Sequence, residues 1–255
     1  MLSRLAFLSD IHWGSQQDLK AWNFTLKILS EIQPDKVVLG GDCFDHNAVG
    51  RYRKNPDKTI CMQDEITSGK KHLEDLVNGL NYNTEVAFFS GNHEKRLPNY
   101  ILDISKALFG LDMFSPRKLY GLDDLNIRYQ ETTPYKIGHL WLAHGDEFPT
   151  SGPNPALTAL SAVNSNILFG HVHKFSVASK TQLNGRQIGG WSNGCLANLA
   201  PDFTLMPSWS QGFTIVDFTN RGYFNVVPVR YWYDRKFRSL NAVVDGVEYD
   251  SREGY

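Results

Sequence analysis

Short apolar runs of strand length alternate with amphipathic segments along the first two thirds of the chain. The apolar runs are Leu5–Ser9, Lys36–Gly40, Val86–Ser90, His139–Ala143 and Ile167–Gly170. Apolar residues at helical spacing predict helices over Asp18–Ile32 and Asp64–Leu80, and a third helix is predicted over Asn99–Leu108. The strand–helix–strand order predicts right-handed crossovers and an α/β fold with helices on the faces of a sheet.

Beyond Gly170 the pattern changes to short strands joined by turns. Strands are predicted over Phe175–Lys180, Arg186–Trp191, Phe213–Phe218 and Tyr223–Tyr231, and this part favours an antiparallel sheet. The chain has no internal repeat and no linker, so a single domain is predicted over residues 1–238. Residues 239–255 contain few apolar side chains and are predicted to form a C-terminal arm or tail.

Composition narrows the class of protein. The chain has 255 residues, enough for one large α/β domain, and its formal net charge of −1 provides no global field toward nucleic acid or a membrane surface. Three cysteines, Cys43, Cys61 and Cys195, are scattered, which favours reduced thiols in a cytosol-like compartment. No apolar stretch has the length of a transmembrane helix. A cytoplasmic protein with no membrane partner is therefore expected.

Each of the five apolar runs is followed by Asp, Asn or His side chains. The motifs are D-I-H at 10–12, G-D-C-F-D at 41–45, G-N-H-E at 91–94, H-G-D at 144–146 and H-V-H at 171–173. One such motif alone has an ordinary explanation, because G-D and G-N are common turn formers. Five of them at five strand ends predict one site, since ligands of an open α/β sheet gather at the carboxyl ends of its strands.

The residue types in these motifs predict a metal site. Carboxylate oxygens and imidazole nitrogens suit Mn²⁺, Fe and Zn²⁺, and no cysteine falls at a ligand position, which argues against a structural zinc site. Seven of the Asp, Asn and His side chains in these motifs are ligand candidates. Seven ligands are too many for one ion and suit two ions that share a carboxylate. Two ions can clamp a phosphoryl group and activate a bridging water.

The motifs D-x-H, G-D-x-x-D, G-N-H-[DE], H-G and G-H-x-H, in this order, resemble the signature of the calcineurin-like metallophosphoesterases. The resemblance runs from about Leu5 to His173 and implies the four-layer αββα sandwich of the metallo-dependent phosphatase type. It also implies the ligands of each ion: Asp10, His12, Asp42 and His173 for the first, and Asp42, Asn92, His144 and His171 for the second. Two divalent ions are expected, with Mn²⁺ favoured and Fe, Zn or Ni as alternatives.

The same resemblance makes His93 a general acid, or a clamp on the phosphate oxygens, that stands beside the metals without binding them. Asp45 would orient and charge His93. This pair also has an independent rationale, because a catalytic imidazole needs a partner that fixes its tautomer. The alternative is that Asp45 caps a helix.

Departures from the family pattern bear on the substrate. His46 follows Asp45, where protein phosphatases of the superfamily have arginine, and the paired histidines of G-H-x-H favour the phosphodiesterase and nuclease branches. Asp146 stands where many phosphodiesterases have a second histidine. As a whole, the chain resembles the compact phosphoesterases of bacteriophages, which would place it in the host cytoplasm.

The expected function is hydrolysis of phosphoester bonds by a metal-bridged hydroxide, with DNA, RNA or nucleotides as the favoured substrates. A phosphomonoesterase or protein phosphatase is the alternative, and a catalytically silent metal-binding scaffold is the alternative of another class. Substrate contacts are predicted for Arg51, Arg53 and Lys54, in a basic segment that follows the second motif, and for Arg96. The basic segment has a second interpretation as a solvated loop. The sequence predicts no oligomeric state.

Overall fold

The computed structural model describes residues 3–50, 61–200 and 207–252. In chain order the elements are β1 (Ser3–Leu8), α1 (Leu19–Ile32), β2 (Lys36–Gly40), α2 (Met62–Gly79), β3 (Glu85–Phe89), α3 (Arg96–Ile104), α4 (Pro116–Leu119), β4 (Arg128–Tyr129), β5 (Tyr135–Ile137), β6 (Leu140–Ala143), α5 (Pro155–Val163), β7 (Ile167–Phe169), β8 (Ser176–Thr181), β9 (Gln187–Ser192), β10 (Gly212–Phe218), β11 (Phe224–Arg230), β12 (Trp232–Asp234), β13 (Ser239–Val244) and β14 (Val247–Asp250). Among these described residues, no helix is both long and apolar enough to cross a membrane.

Two large sheets and one small sheet form the fold. The first sheet has the order β11-β10-β1-β2-β3-β4, in which β1 to β4 run parallel and β10 is antiparallel to both of its neighbours. The second has the order β5-β6-β7-β9-β8, and the third consists of β12, β13 and β14. The carboxyl ends of β1, β2 and β3 therefore meet at one edge of the first sheet, as the strand-end motifs predict.

The side chains of β1 alternate between two cores. Leu5 and Phe7 pack between the two large sheets, in the same buried cluster as Leu142 of β6. Ala6 and Leu8 point to the opposite face and share a cluster with the buried faces of α1 and α2. On the outer face of the second sheet, Ala159 of α5 packs with Ile167 and Phe169. The resulting order of helix, sheet, sheet and helix confirms the predicted αββα sandwich.

Helix boundaries follow from capping and from proline. Asp18, predicted as the first residue of a helix, is instead the cap of α1, because its carboxylate accepts hydrogen bonds from the backbone N–H groups of Lys20 and Ala21. α3 starts three residues before its predicted start at Asn99. Pro98 lies in its first turn, where the missing N–H costs no helical hydrogen bond. α3 ends at Ile104, and residues 106–108 form a separate short 3₁₀ turn.

The strands predicted after Gly170 do form two antiparallel pairs, but the prediction of one antiparallel sheet is wrong, because the two pairs belong to different sheets. β8 with β9 and β10 with β11 are antiparallel, but β9 lies parallel to β7. β8 occupies the outer edge of the second sheet, so the chain passes it before returning through β9 beside β7. The order of strands along the chain does not reveal the pairing of β9 with β7. The hairpin of β8 and β9 joins neighbouring segments, whereas β7 and β9 are separated along the chain by β8.

The C-terminal segment packs on the first core. Leu240, Ala242 and Val244 alternate along β13 and are buried, and Tyr249 of β14 joins them in the cluster that contains α1. The division of the chain at residue 238 stays a prediction.

Candidate metal centre

The first two motifs run side by side beyond the ends of their strands. The backbone N–H of Asp10 donates to the carbonyl of Gly41 at 3.0 Å, and the N–H of His12 donates to the carbonyl of Asp42 at 3.0 Å. Pairing between β1 and β2 therefore continues into the loops. As a result, regular hydrogen bonds fix the backbone from which the side chains of these motifs project.

Five of the seven predicted ligands have a left-handed backbone. Their φ angles are 56° for Asp10, 56° for His12, 52° for Asp42, 69° for His171 and 55° for His173. This conformation costs a non-glycine residue about 1–2 kcal/mol, so the surrounding structure must hold it in place. One such restraint is visible between two motifs, because the backbone N–H of His171 donates to both carboxylate oxygens of Asp10, at 3.0 and 2.9 Å.

A first cluster of donor atoms consists of Asp10, His12 and His173, whose ligand atoms lie within 4.8 Å of one another. His12 Nε2 is 3.1 Å from His173 Nε2, and His173 Nε2 is 3.2 Å from Asp10 Oδ1. Two atoms that bind one ion at about 2.1 Å and at right angles are about 3.0 Å apart. These separations are therefore those of ligands around a single ion.

A second cluster consists of Asp42, His144 and His171, again within 4.8 Å of one another. His144 Nε2 lies 3.2 Å from Asp42 Oδ2 and 3.1 Å from Asn92 Oδ1. His144 Nδ1 lies 3.0 Å from the backbone carbonyl of Gly40 and donates to it. This bond turns Nε2 toward the cluster, as in imidazoles that bind metals.

Asp42 connects the two clusters. It forms a third group with His12 of the first cluster and with His93, and their ligand atoms also lie within 4.8 Å of one another. His93 Nε2 is 3.7 Å from Asp42 Oδ2. The structure thus brings all seven predicted ligands together and places His93 at the junction of the clusters.

Two glycines permit this close approach. Gly41 has φ +84°, and a Cβ there would lie 2.7 Å from His144 Nδ1. A Cβ at Gly91 would clash with Asp42 Oδ1. The glycines that precede Asp42 and Asn92 in the motifs therefore keep space for the donor atoms.

The charges of the site suit bound cations. Burial works against protonation of His144, but the neighbouring Asp42 carboxylate outweighs it and raises the pKa of His144 to about 10. Burial also opposes the charge of His173, yet Asp10 holds its pKa well above the ordinary value. The carboxylates thus draw positive charge to the places where the donor atoms converge. Cys43 is no competing ligand, since burial raises the pKa of its thiol well above 9.0.

Asp45 contacts His12 of the first cluster and His93 at the junction, and it is the N-cap of none of the helices that the structure describes. Its Oδ1 lies 3.1 Å from Nδ1 of His12 and 3.1 Å from Nδ1 of His93, and its Oδ2 accepts a hydrogen bond from Ser15 Oγ at 2.7 Å. Burial would raise the pKa of Asp45, but the hydrogen bonds to the two imidazoles hold it well below the ordinary value. The contact with His93 was predicted from the sequence. The contact with His12, which directs Nε2 of that ring to the first cluster, was not.

Arg96 completes a chain of contacts that starts at Asp45. Its Nη2 lies 2.7 Å from His93 Nε2, and its Nη1 donates to the backbone carbonyl of Asp45 at 2.8 Å. A guanidinium only donates hydrogen bonds, so His93 Nε2 accepts here and the ring proton is on Nδ1, facing Asp45. In this arrangement His93 has no proton on Nε2 to give to a leaving group.

Glu94 is a buried residue to which the sequence assigned no role. Its Oε1 accepts from the backbone N–H groups of Cys43 at 2.7 Å and Phe44 at 2.9 Å. Its Oε2 accepts from Asp42 N at 2.9 Å and from Gly91 N at 2.8 Å. Burial raises the pKa of Glu94 to about 6. The only sequence signal for this clamp is an acidic residue that directly follows G-N-H. The groups that donate to the Glu94 carboxylate are backbone N–H groups, whose positions a sequence does not show.

Asp146 belongs to none of the three donor groups. Its carboxylate accepts a hydrogen bond from Lys95 Nζ at 2.7 Å. Arg51, Arg53 and Lys54 lie outside the described residues, so their contact with substrate stays a prediction.

Glu65 holds the loop that follows the second motif. It lies on α2, is 1% exposed, and its Oε1 accepts from the backbone N–H of His46 at 2.6 Å. Its Oε2 is buried and makes no hydrogen bond within the described residues. Burial raises the pKa of this carboxyl from 4.5 to about 8.

Glu65 should make the protein less stable as the pH rises. Between its ordinary pKa of 4.5 and its folded pKa of about 8, the folded protein retains a proton that the unfolded chain has lost. Its contribution is therefore complete below about pH 4.5 and disappears as the pH approaches 8. We expect Glu65→Gln to reduce the loss of unfolding free energy between pH 5.5 and 8 by roughly 2–3 kcal/mol. Urea denaturation at both pH values measures this.

Glu74→Gln is the control, because Glu74 lies on the same helix and is exposed. It should retain the pH dependence of the original protein. If Glu65→Gln and the original protein lose stability in parallel over this range, another group causes the effect.

The αββα sandwich with two connected clusters of carboxylate and imidazole at its strand ends defines a class of metal-dependent hydrolase. A model of the calcineurin-like phosphoesterase family matches residues 3–175. The chain belongs to this family, and the family consists of hydrolases that act on phosphoesters. The family and the donor clusters together indicate a site for two metal ions.

Similarities to known proteins extend over most of the chain. The Gene 54 protein of Mycobacterium phage L5 is 24% identical over 237 residues, which cover 85% of this chain and 89% of that protein. Among solved structures, Pseudomonas putida nuclease MPE matches with a TM-score of 0.37 and 14% identity, over 88% of this chain and 86% of that chain. A dimetal phosphatase from Danio rerio matches with a TM-score of 0.45 and 11% identity, over 89% and 98%. The family assignment does not depend on these two structures.

Proposed function

We propose that the protein is a two-metal phosphodiesterase that acts on DNA, RNA or nucleotides. The observation that carries the proposal is the pair of donor clusters joined at Asp42. Asp10, His12, Asp42 and His173 would hold one ion, and Asp42, Asn92, His144 and His171 the other. When bound, two such ions would polarise a phosphoryl oxygen and lower the pKa of a bound water. The oxygen and nitrogen donors favour Mn²⁺, with Fe, Zn or Ni as alternatives.

The paired histidines of the G-H-V-H motif, His171 and His173, support a diester rather than a monoester, because there the sequence resembles the phosphodiesterase and nuclease branches of the family. Beside the clusters, in the described part of the chain, Arg96 is the cation in contact with His93 at the junction, while the neighbouring Lys95 is engaged by Asp146. A phosphomonoesterase or protein phosphatase is the second candidate, and a scaffold without catalysis is the third.

Asp45, His93 and Arg96 act together in this proposal. The Asp45 carboxylate fixes the tautomer of His93, and Nε2 of His93 fixes one arm of the Arg96 guanidinium, whose other arm bonds the Asp45 carbonyl. The guanidinium is held by these two hydrogen bonds. It would bind a non-bridging oxygen of the substrate and stabilise the charge that develops there. This assigns His93 the clamp function, through Arg96, in preference to the general-acid function.

A panel of substrates tests the proposed function. Metal-loaded protein would be assayed with methyl p-nitrophenyl phosphate, p-nitrophenyl phosphate, cyclic nucleotides, and single- and double-stranded DNA. We expect the diesters to be hydrolysed in preference to the monoester. A preference for p-nitrophenyl phosphate would favour the monoesterase, and absence of turnover with any metal would favour the scaffold. The predicted place of action is the cytoplasm, that of a host if a phage encodes the protein.

His93→Ala tests the assigned function of its side chain. We expect a loss of about 10²–10³-fold in turnover. The loss should be similar for a nitrophenyl diester and for a nucleotide linkage, because Nε2 accepts a bond from Arg96 and donates no proton to the leaving group. Metal content should not change, since the ligands remain. Both rates and the metal stoichiometry would be measured on the same preparation.

His139→Ala is a suitable control, since His139 is exposed and packs beside Tyr223. A much smaller loss on the nitrophenyl diester than on the nucleotide linkage would instead identify His93 as the general acid. Loss of a metal ion in His93→Ala would make His93 a ligand.

A further inference from the structure

A cavity of about 360 Å³ opens beside the metal centre and is lined mainly by α3. Two of its lining residues, Asn92 and Arg96, also belong to the centre. Asn92 Oδ1 is 3.1 Å from His144 Nε2 of the second cluster, and Arg96 Nη2 is 2.7 Å from His93 Nε2. A molecule in this cavity would therefore be continuous with a phosphate bound at the junction of the clusters.

The exposed face of α3 provides three further lining residues, and Val49 and Gly50 provide the other two. Asn99, Tyr100 and Asp103 follow Arg96 at intervals of three to four residues, so they lie along one side of the helix. The opposite side carries Leu97 and Ile101, which are buried in the protein. The chemistry changes along the cavity, from a guanidinium at the metal centre to an aromatic ring, an amide and a carboxylate farther away.

We propose that this cavity, lined by Arg96, Asn99, Tyr100 and Asp103, binds a nucleoside attached to the reacting phosphate. The inference rests on the proposed phosphodiesterase function and adds its substrate class. Tyr100, with 45% of its surface exposed, offers a ring on which a base can stack. The Asn99 amide can bond the edge of a base, and the Asp103 carboxylate can accept from a base N–H or a sugar hydroxyl.

Charge and size set the orientation and the length of the ligand. Arg96 attracts a phosphate, so the phosphate would face the metal centre and the base would face Tyr100. The volume of about 360 Å³ is near the lower end of the range for small-molecule sites. It suits one nucleoside and is too small for a duplex. A solvated helix face is the ordinary alternative, because single exposed aromatic residues are common.

Inhibition by mononucleotides tests the inference separately from the proposed function. Hydrolysis of methyl p-nitrophenyl phosphate reports the diesterase activity itself. Thymidine 5′-monophosphate, thymidine 3′-monophosphate and methyl phosphate would be compared as competitive inhibitors. We expect at least one nucleotide to bind about 10- to 100-fold more tightly than methyl phosphate, the range that one stacked base provides.

Variants of Tyr100 then locate the effect. Tyr100→Ala should remove the preference for the nucleotide, while the inhibition constant for methyl phosphate, which has no base to stack, should stay within about twofold. Tyr100→Phe keeps a ring and should retain the preference. Tyr82→Ala is the matched control, since Tyr82 is 95% exposed and lies outside the cavity.

Each outcome decides one question. Diester hydrolysis without any preference for nucleotides, or a preference that Tyr100→Ala leaves intact, would overturn the nucleoside subsite and leave the proposed function standing. Absence of diester hydrolysis in the original protein would instead refute the proposed function. If Tyr100→Ala does not fold, loss of the preference in Asn99→Ala, with Tyr100→Phe unaffected, would support the subsite, and its retention would count against it.

Discussion

Asp42→Asn should remove most of the phosphoester hydrolysis, by on the order of 10³-fold, and should weaken metal binding at both positions. Asp42 belongs to two of the three donor groups, and its Oδ2 lies 3.2 Å from His144 Nε2. An amide has one oxygen and no charge, so it cannot bridge two cations as a carboxylate does. Initial rates and metal content by elemental analysis, on the same protein, measure both effects.

A matched control separates the bridge from a general loss of charge. Asp217→Asn removes another partly buried carboxylate, which pairs with Arg4 on β1 and is not among the candidate ligands. This variant should retain two metals per chain and near-normal turnover. If Asp42→Asn also retained both metals and near-normal turnover, Asp42 would not be the bridge.

The sequence predicted the positions of the candidate ligands because they follow from two visible features. Alternating and apolar runs located β1, β2, β3, β6 and β7 to within about two residues, and each run was followed by a polar motif. Parallel strands bring their carboxyl ends together, so adjacency in space followed from order along the chain. No pattern of residues predicts the left-handed backbone of Asp10, His12 and Asp42, which depends on restraints from neighbouring loops.

Contacts that involve the backbone were beyond sequence reasoning. Arg96 was expected to contact substrate phosphate, and the structure adds that its guanidinium is held by His93 Nε2 and by the carbonyl of Asp45. The path of β9 beside β7 was missed for a similar reason, since strand pairing between distant segments leaves no local signal. Sequence patterns specify which side chains are chemically able to act, and the fold decides which partners they meet.

Glu94→Ala should lower the free energy of unfolding by roughly 3–5 kcal/mol. The carboxylate accepts hydrogen bonds from the N–H groups of Asp42, Cys43, Phe44 and Gly91, and removing it would leave these buried donors without their acceptor. The same donors set the backbone of Asp42, so metal affinity should fall as well. Urea denaturation and metal titration measure the two effects.

Glu94→Gln distinguishes the clamp from simple loss of volume. Each carboxylate oxygen accepts two backbone N–H groups, so a glutamine of equal size would turn an NH₂ donor toward two other donors. We expect most of the destabilisation of the alanine variant to persist in Glu94→Gln, together with the weaker metal binding. Glu31→Ala, at an exposed position on α1, should change stability by less than about 0.5 kcal/mol. A glutamine variant as stable as the original protein would show that Glu94 acts by filling space, and the hydrogen bonds would then contribute little to holding Asp42.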